Sequence, residues 1–278
     1  MGYIDMHIHT KNSDGQYGVR KIVKMLIEEQ IDIFSITDHD NIKSCIEMEK
    51  ILLPRNMIYV PGVEFSSVLN HIKCHILGYG IDYTNNDIMT ECDNIKLKKY
   101  KRILDIIDFL DSSYGIVITE TEKQMLLNKV GAVGRTDLCM LLIMKGYGTK
   151  SEIFDKYLSD VPTGLSHRSK AEYIISLINK SGGKAILAHP KEIEEDYNIN
   201  IEDVIEYFVE VGIDGIEIFN SIHTLSDVRR YIELAKKYNL LTTGGSDYHG
   251  ELVKPDVYLG RTITNKVKIK ANNISFKI

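Results

Sequence analysis

Tyr3-Ile4-Asp5-Met6-His7-Ile8-His9, followed by the periodic run over residues 19–30 and then by Asp32-Ile33-Phe34-Ser35-Ile36-Thr37, sets the architecture of this chain. The outer two runs are short and rich in β-branched residues. The middle one repeats its apolar residues at helical spacing, so the three predict strand, helix, strand. Outward from there the alternation continues with a helix over 41–52 and strands over 58–65 and 72–78. It then stops. From about Asn86 to His167 nearly everything has helical period, over 88–110, 120–129, 135–145 and 151–158. The alternation resumes with helix 170–181, strand 184–188, helix 201–211, strand 215–219, helix 225–238 and strand 240–243. The expected organisation is therefore a mostly parallel α/β sheet or barrel made of residues 1–85 and 168–278, interrupted by an inserted all-helical subdomain over 86–167. The tail over 262–278 alternates weakly, at Val267 and Ile269, and fits no element by pattern alone.

The composition, 44% hydrophobic and 26% charged over 278 residues, is that of a folded domain. Thirty-four Lys plus Arg against 39 Asp plus Glu give a net charge of −5, which supplies no global field for a long nucleic acid. A small anionic substrate or a short oligonucleotide remains compatible with local charge. No apolar run approaches the ~18 residues of a membrane span, and the N-terminus lacks the basic start and apolar run of a signal peptide, so a cytoplasmic location without membrane contact is expected. Cys45, Cys74, Cys92 and Cys139 show no CxxC spacing and read as buried apolar residues rather than a disulfide or thiolate framework.

The histidines are not evenly spread. His7 and His9 stand two apart on the first strand, so their side chains leave one face and can reach one metal ion. His39 follows the 32–37 strand in Thr37-Asp38-His39-Asp40. Glu64 lies near the end of the next predicted strand, and His75 is on the one after. His189 follows an apolar strand in Ala188-His189-Pro190, and Asp247 and His249 follow the last one in Gly244-Gly245-Ser246-Asp247-Tyr248-His249. In a βα barrel the C-terminal ends of strands converge on one rim, where the loops build the active site. Imidazoles and carboxylates gathered there point to a metal centre.

These residues resemble the PHP (polymerase and histidinol phosphatase) family. The resemblance runs through Asp5-Met6-His7-Ile8-His9-Thr10, Ser13-Asp14-Gly15, Thr37-Asp38-His39, Gly62-Val63-Glu64, Ala188-His189-Pro190 and Ser246-Asp247-Tyr248-His249, and covers almost the whole chain. It implies a distorted (β/α)7-type barrel holding two or three divalent metal ions. By position, it implies one metal held by His7, His9, Glu64 and Asp247, a second by Glu64, His75 and His189, and a third by Asp14, His39 and His249, with Glu64 bridging the first two. Ser13-Asp14-Gly15 is also a common turn sequence. Six imidazoles and three carboxylates without a thiolate suit Mn²⁺, Fe²⁺ or Zn²⁺. Such ions make hydroxide available near neutral pH and spread the charge of a phosphoryl group, which fits phosphate-ester hydrolysis. Within the family the chain looks most like the free-standing phosphoesterases with a helical insertion, of the nucleoside 3′,5′-bisphosphate phosphatase and short-RNA 5′-exonuclease type.

On the substrate side, Arg135 opens a helix after Gly134, where a phosphate could meet both a guanidinium and a helix N-terminus. The family segment Gly-Arg-Pro-His reads Gly134-Arg135-Thr136-Asp137 here, which places an anion where a donor is expected. His223, beyond the 215–219 strand, matches a His of similar phosphoesterases. It can contact phosphate or protonate the leaving oxygen, with Asp247 as the other catalytic residue, or it can be a loop His bonded to backbone. His167 and Arg168 are weaker candidates, and His71 reads as exposed. Lys96, Lys98, Lys99, Lys101 and Arg102 can attract an oligonucleotide, but helical spacing scatters them and favours a solvated helix face. Ile103, Ile106, Ile107 and Leu110 read as a packing stripe. The expected function is metal-dependent hydrolysis of a phosphate monoester of a nucleotide, or at the end of a short oligonucleotide. The alternatives are histidinol-phosphate phosphatase and, in another class, a non-catalytic metal-stabilised binding module.

Overall fold

The computed structural model describes residues 2–128, 133–159, 161, 168–264 and 266–276. In chain order the strands and helices are β1 (Tyr3–Asp5), α1 (Val19–Glu28), β2 (Ile31–Phe34), α2 (Lys43–Met48), β3 (Ile58–Tyr59), β4 (Gly62–Leu69), β5 (Ile72–Tyr79) and α3 (Asn86–Tyr114). Next come α4 (Glu120–Leu127), α5 (Arg135–Met144), α6 (Lys150–Lys156), β6 (Ser169–Lys170), α7 (Ala171–Lys180), β7 (Lys184–Leu187) and α8 (Pro190–Tyr197). The last are α9 (Ile201–Glu210), β8 (Gly215–Phe219), α10 (Leu225–Lys237), β9 (Leu241–Gly244) and β10 (Ile269–Lys270).

The strands form a mixed α/β fold with two sheets, ordered β10-β1-β2-β3 and β6-β4-β5-β7-β8-β9. Pairing is parallel from β1 to β3 and from β7 to β9. It is antiparallel between β4 and β5 and between β5 and β7, so the sheet that the alternation predicts as mostly parallel is mixed. Two residues shape this part of the sheet. Pro61 has no N–H to give a ladder, which splits the predicted 58–65 strand into β3 and β4. Asn70, at φ 55°, lets the chain reverse in two residues between Leu69 and Ile72. Two isolated parallel bridges, Ile8 with Tyr248 and His39 with Glu64, connect the sheets.

The chain divides into two compact units, residues 1–92 with 169–278, and residues 93–168. In the first, α1 buries Val19, Ile22, Val23 and Leu26, its i, i+3, i+4, i+7 face, in a core with Ile31, Phe34 and Ile36. A second cluster packs Ile4, Met6, Leu77, Tyr79 and Ile186. In the other unit, Ile103, Ile106, Ile107 and Leu110 pack with Leu138, Leu142 and Ile153, as the stripe predicts.

Helix α8 was not legible in the pattern: Pro190 at its first turn starts it directly after His189. The unplaced tail supplies β10, antiparallel to β1. All four cysteines are buried. Among the described residues no helix is long and apolar enough to cross a membrane.

Candidate metal centre

Backbone hydrogen bonds beyond the ends of the strands bring the donors together. The segment after β1 is flanked on one side by the segment after β9, through Met6 N–H to Gly244 O at 3.2 Å, Asp247 N–H to His7 O at 2.9 Å and His9 N–H to Tyr248 O at 2.9 Å. On the other side Thr37 N–H reaches Ile8 O at 2.8 Å. Gly245 permits this approach, since a Cβ there would lie 2.3 Å from His7 N. Glu64 is tied to the segment after β2 by Glu64 N–H to Asp38 O, 3.2 Å, and Asp40 N–H to Glu64 O, 2.9 Å. His75 O accepts from Ala188 N–H at 3.0 Å, which sets His189 beside His75.

Glu64 is fully buried at the middle of the cluster. Its Oε1 lies 3.1 Å from both His75 Nδ1 and His189 Nε2, which are 3.3 Å apart. Its Oε2 lies 3.2 Å from His7 Nε2, 3.1 Å from His9 Nε2 and 3.1 Å from His39 Nδ1. Asp247 Oδ1 is 3.6 Å from His7 Nε2, 3.3 Å from His9 Nε2 and 3.4 Å from His249 Nδ1. Asp14, 46% exposed at the edge, sits 3.7 Å from His9 Nδ1, 3.8 Å from His39 Nε2 and 3.4 Å from His249 Nε2. All nine metal-ligand candidates therefore meet in one cluster. The grouping differs in detail, because His9 also faces the Asp14, His39 and His249 set. So does the route: β4 begins at Gly62 and β5 runs antiparallel, so Glu64 sits near a strand's start and His75 in mid-strand, not at C-terminal ends.

The cluster fits divalent cations. His7 Nε2, His9 Nε2 and His39 Nδ1 are buried 3.1–3.2 Å from the buried Glu64 Oε2, yet none of the four atoms makes an aligned hydrogen bond. Buried polar atoms left in this state are costly unless a cation takes their lone pairs. Protons partly fill that role in the metal-free protein. Burial opposes the charge on His9, but Asp247 and Glu64 push its pKa up to about 9. His7 and His189 are likewise raised against burial, by Glu64 and Glu217 for one and by Glu192 and Glu64 for the other. Burial drives His39 down to about 3. Glu64, despite burial, is held well below the usual carboxylate range by His39, His7 and His75.

Three side chains beside the cluster escaped the sequence reading. Glu217 Oε1 lies 3.0 Å from His7 Nδ1, and Glu192 Oε2 lies 2.7 Å from His189 Nδ1. Lys254 Nζ donates to Asp247 Oδ2 at 2.6 Å. Only Glu217 left a signal: a carboxylate flanked by Ile216 and Ile218 on a strand with no polar neighbours.

His223 is buried, with Nδ1 2.9 Å from Ile218 O and Nε2 unpaired. Burial lowers its pKa to about 4, so at neutral pH it presents a lone pair rather than a proton. Arg135 lies in the other unit, with Nη1 3.4 Å from Leu158 O and its guanidinium 5.9 Å from the Phe154 ring centroid. Asp137 has a definite task there: its carboxylate accepts from Gly134 N–H at 2.8 Å and caps α5. Burial and the nearby Arg135 and Arg168 lower the pKa of Arg102. Lys96, Lys98 and Lys101 are exposed, whereas Lys99 and Arg102 are partly covered. His71 is exposed at the β4–β5 turn, and His167 lies outside the described residues.

Curated relatives and a solved structure are similar to this chain over most of its length. A 5′-3′ exoribonuclease Rnm from Escherichia coli (strain K12) is 28% identical over 269 residues, covering 93% of this chain and 88% of its own. A 3′,5′-nucleoside bisphosphate phosphatase from Chromobacterium violaceum is 26% identical over 252 residues, covering 90% and 88%. A solved structure described as an amidohydrolase from Chromobacterium violaceum, with bound SO4 and no metal, superposes with a TM-score of 0.77 at 26% identity, covering 94% of this chain and 90% of that one. A family model described as PHP domain matches residues 5–221, well over half of the sequence, and the chain belongs to that family.

Proposed function

We propose that the protein is a metal-dependent phosphoesterase that hydrolyses a phosphate monoester of a nucleotide, such as a nucleoside 3′,5′-bisphosphate, or acts at the end of a short oligonucleotide. The observation that carries this reading is the division of the Glu64 oxygens, Oε1 facing His75 and His189 and Oε2 facing His7, His9 and His39. A carboxylate can serve two cations in this way. His7, His9, Asp247 and Glu64 would hold one ion, Glu64 together with His75 and His189 a second, and Asp14, His39 and His249, with His9 nearby, a third. Bound divalent ions supply a water of lowered pKa and positive charge for the phosphoryl oxygens.

The chain's own residues supply the rest. Lys254 holds the outer oxygen of Asp247 and keeps a positive charge beside the ligands. His223 offers Nε2 as an acceptor, which suits orienting a protonated group better than donating a proton in the free enzyme. Arg135 is a phosphate contact on this reading, with α5 capped by Asp137 rather than left open to an anion. The two bridged sheets are read as a distorted (β/α)7-type barrel, with residues 86–167 as its helical insertion. The names of the relatives favour nucleotide and RNA-end substrates over histidinol phosphate.

The test is phosphate release by the Mn²⁺-loaded protein from nucleoside 3′,5′-bisphosphates, 5′-phosphorylated short RNA and histidinol phosphate. Preference for one of the first two is expected. Preference for histidinol phosphate would overturn the substrate assignment, and release from none would favour a binding module. Arg135→Ala should chiefly raise KM if the guanidinium binds phosphate equally in ground and transition states. An unchanged KM would remove Arg135 from the site.

A further inference from the structure

Glu217 is a fully buried carboxylate at the third position of β8. Its strand neighbours Ile216 and Ile218 point into the core, so the period-2 alternation turns Glu217 toward the opposite face, where the histidine cluster lies. Three donors meet it. Oε1 lies 3.0 Å from His7 Nδ1, and Oε2 accepts from the His189 backbone N–H and from Asn220 Nδ2–H, each at 2.9 Å. Asn220 is itself buried, and its Oδ1 accepts from Ile222 N–H at 3.2 Å, which directs its amide nitrogen at Glu217.

The consequences for the cluster are specific. A carboxylate only accepts, so His7 keeps a proton on Nδ1 toward Glu217, and a cation that displaces the other ring proton would meet the Nε2 lone pair on the side of Glu64 and Asp247. His189 stands at φ 24° and ψ 63°, a backbone state that a side-chain-bearing residue rarely adopts, and the Glu217 bond to its N–H holds it there. One side chain thus fixes the ring of one donor and the backbone of another, on segments 182 positions apart in the chain.

We infer that Glu217 is a positioning residue of the metal centre, setting the tautomer of His7 and the backbone of His189 so that both donors face the same ions. This rests on the reading of His7 and His189 as metal ligands. Outer carboxylates of this kind are worth roughly 10–100-fold in metal affinity. The isosteric Glu217→Gln variant isolates the effect. If its oxygen stays with His189 and Asn220, its NH₂ faces His7 Nδ1, which must then accept, and the ring proton moves to Nε2.

The experiment is Mn²⁺ titration of wild type and Glu217→Gln, with the Tm of each measured in chelator. Binding about 10–100-fold weaker in the variant, from a protein that still melts cooperatively in chelator, supports the inference. A lower Tm with unchanged Mn²⁺ affinity means that Glu217 is merely structural and overturns it. Wild type that binds no Mn²⁺ removes the metal centre itself, a different failure. Should the variant not fold, the long-range ¹H–¹⁵N spectrum of zinc-loaded wild type decides, with His7 assigned through His7→Gln. An Nδ1–H ring at His7 supports the inference and an Nε2–H ring overturns it.

Discussion

Asp247 shows how much one residue can concentrate. It adopts φ 58°, lies against His7, His9 and His249 through one oxygen and binds Lys254 through the other. Against burial, Lys254, His7 and His249 hold its carboxyl well below the usual range, so it is ionised wherever the enzyme would work. Asn tolerates the same left-handed backbone, so Asp247→Asn removes charge without imposing strain. We expect it to fold as wild type by circular dichroism and to lose phosphate release by at least about two orders of magnitude, as removal of a group central to the chemistry does. Activity within a few-fold of wild type would remove Asp247 from the site. At this scale the sequence was informative because the donors are chemically distinctive: the His7–His9 pair and the Asp247–His249 pair each announce themselves by spacing. Glu192 and Lys254 did not, since acidic and basic residues of their kind crowd every surface helix and loop, and only the fold brings them to the cluster.

Among the elements, the close passage of the segment after β9 along the segment after β1 matters most. Gly245 makes it possible, and a Cβ there would also lie 2.4 Å from His7 Cβ. Gly245→Ala should therefore cost about 1–3 kcal/mol, as overpacking does, and should weaken Mn²⁺ binding because His7 is displaced. Urea denaturation in chelator and a Mn²⁺ titration check the two parts. A variant as stable as wild type would mean that the segments separate freely. Apart from the two-residue strands β6 and β10, the strands and long amphipathic helices were legible from periodicity, whereas the antiparallel pairing of β4 and β5 was not. Pro61 and the turn at Asn70 were visible, but strand direction depends on which neighbours pair, and local pattern does not encode that. Glu64 and His75 consequently reach the cluster from positions that a parallel rim would not have given them.

For the whole molecule, the cluster links stability, pH and metal. The folded pKa of His9, about 9, lies above its ordinary 6.5. Its contribution to the metal-free protein is therefore complete below pH about 6.5 and is lost as pH rises through about 9. His7 and His189 are shifted in the same direction. Metal must displace those protons, so affinity rises over the same interval. The difference in Tm between Mn²⁺-loaded and chelated protein should widen from pH 6 to pH 9, and a constant difference would contradict this linkage. The switch from alternating elements to continuous helix is the signal behind the expected insertion over 86–167, while the compact helical unit spans 93–168. The tail strand β10 stayed hidden because two residues carry too little pattern to declare a strand. The central claim, that nine side chains from distant parts of the chain form one polynuclear metal centre, is tested most directly by metal content. Elemental analysis of purified protein after Mn²⁺ reconstitution and dialysis should give two or three ions per chain, falling by at least one in Glu64→Gln. Less than one ion per wild-type chain, or an unchanged content in Glu64→Gln, would contradict it.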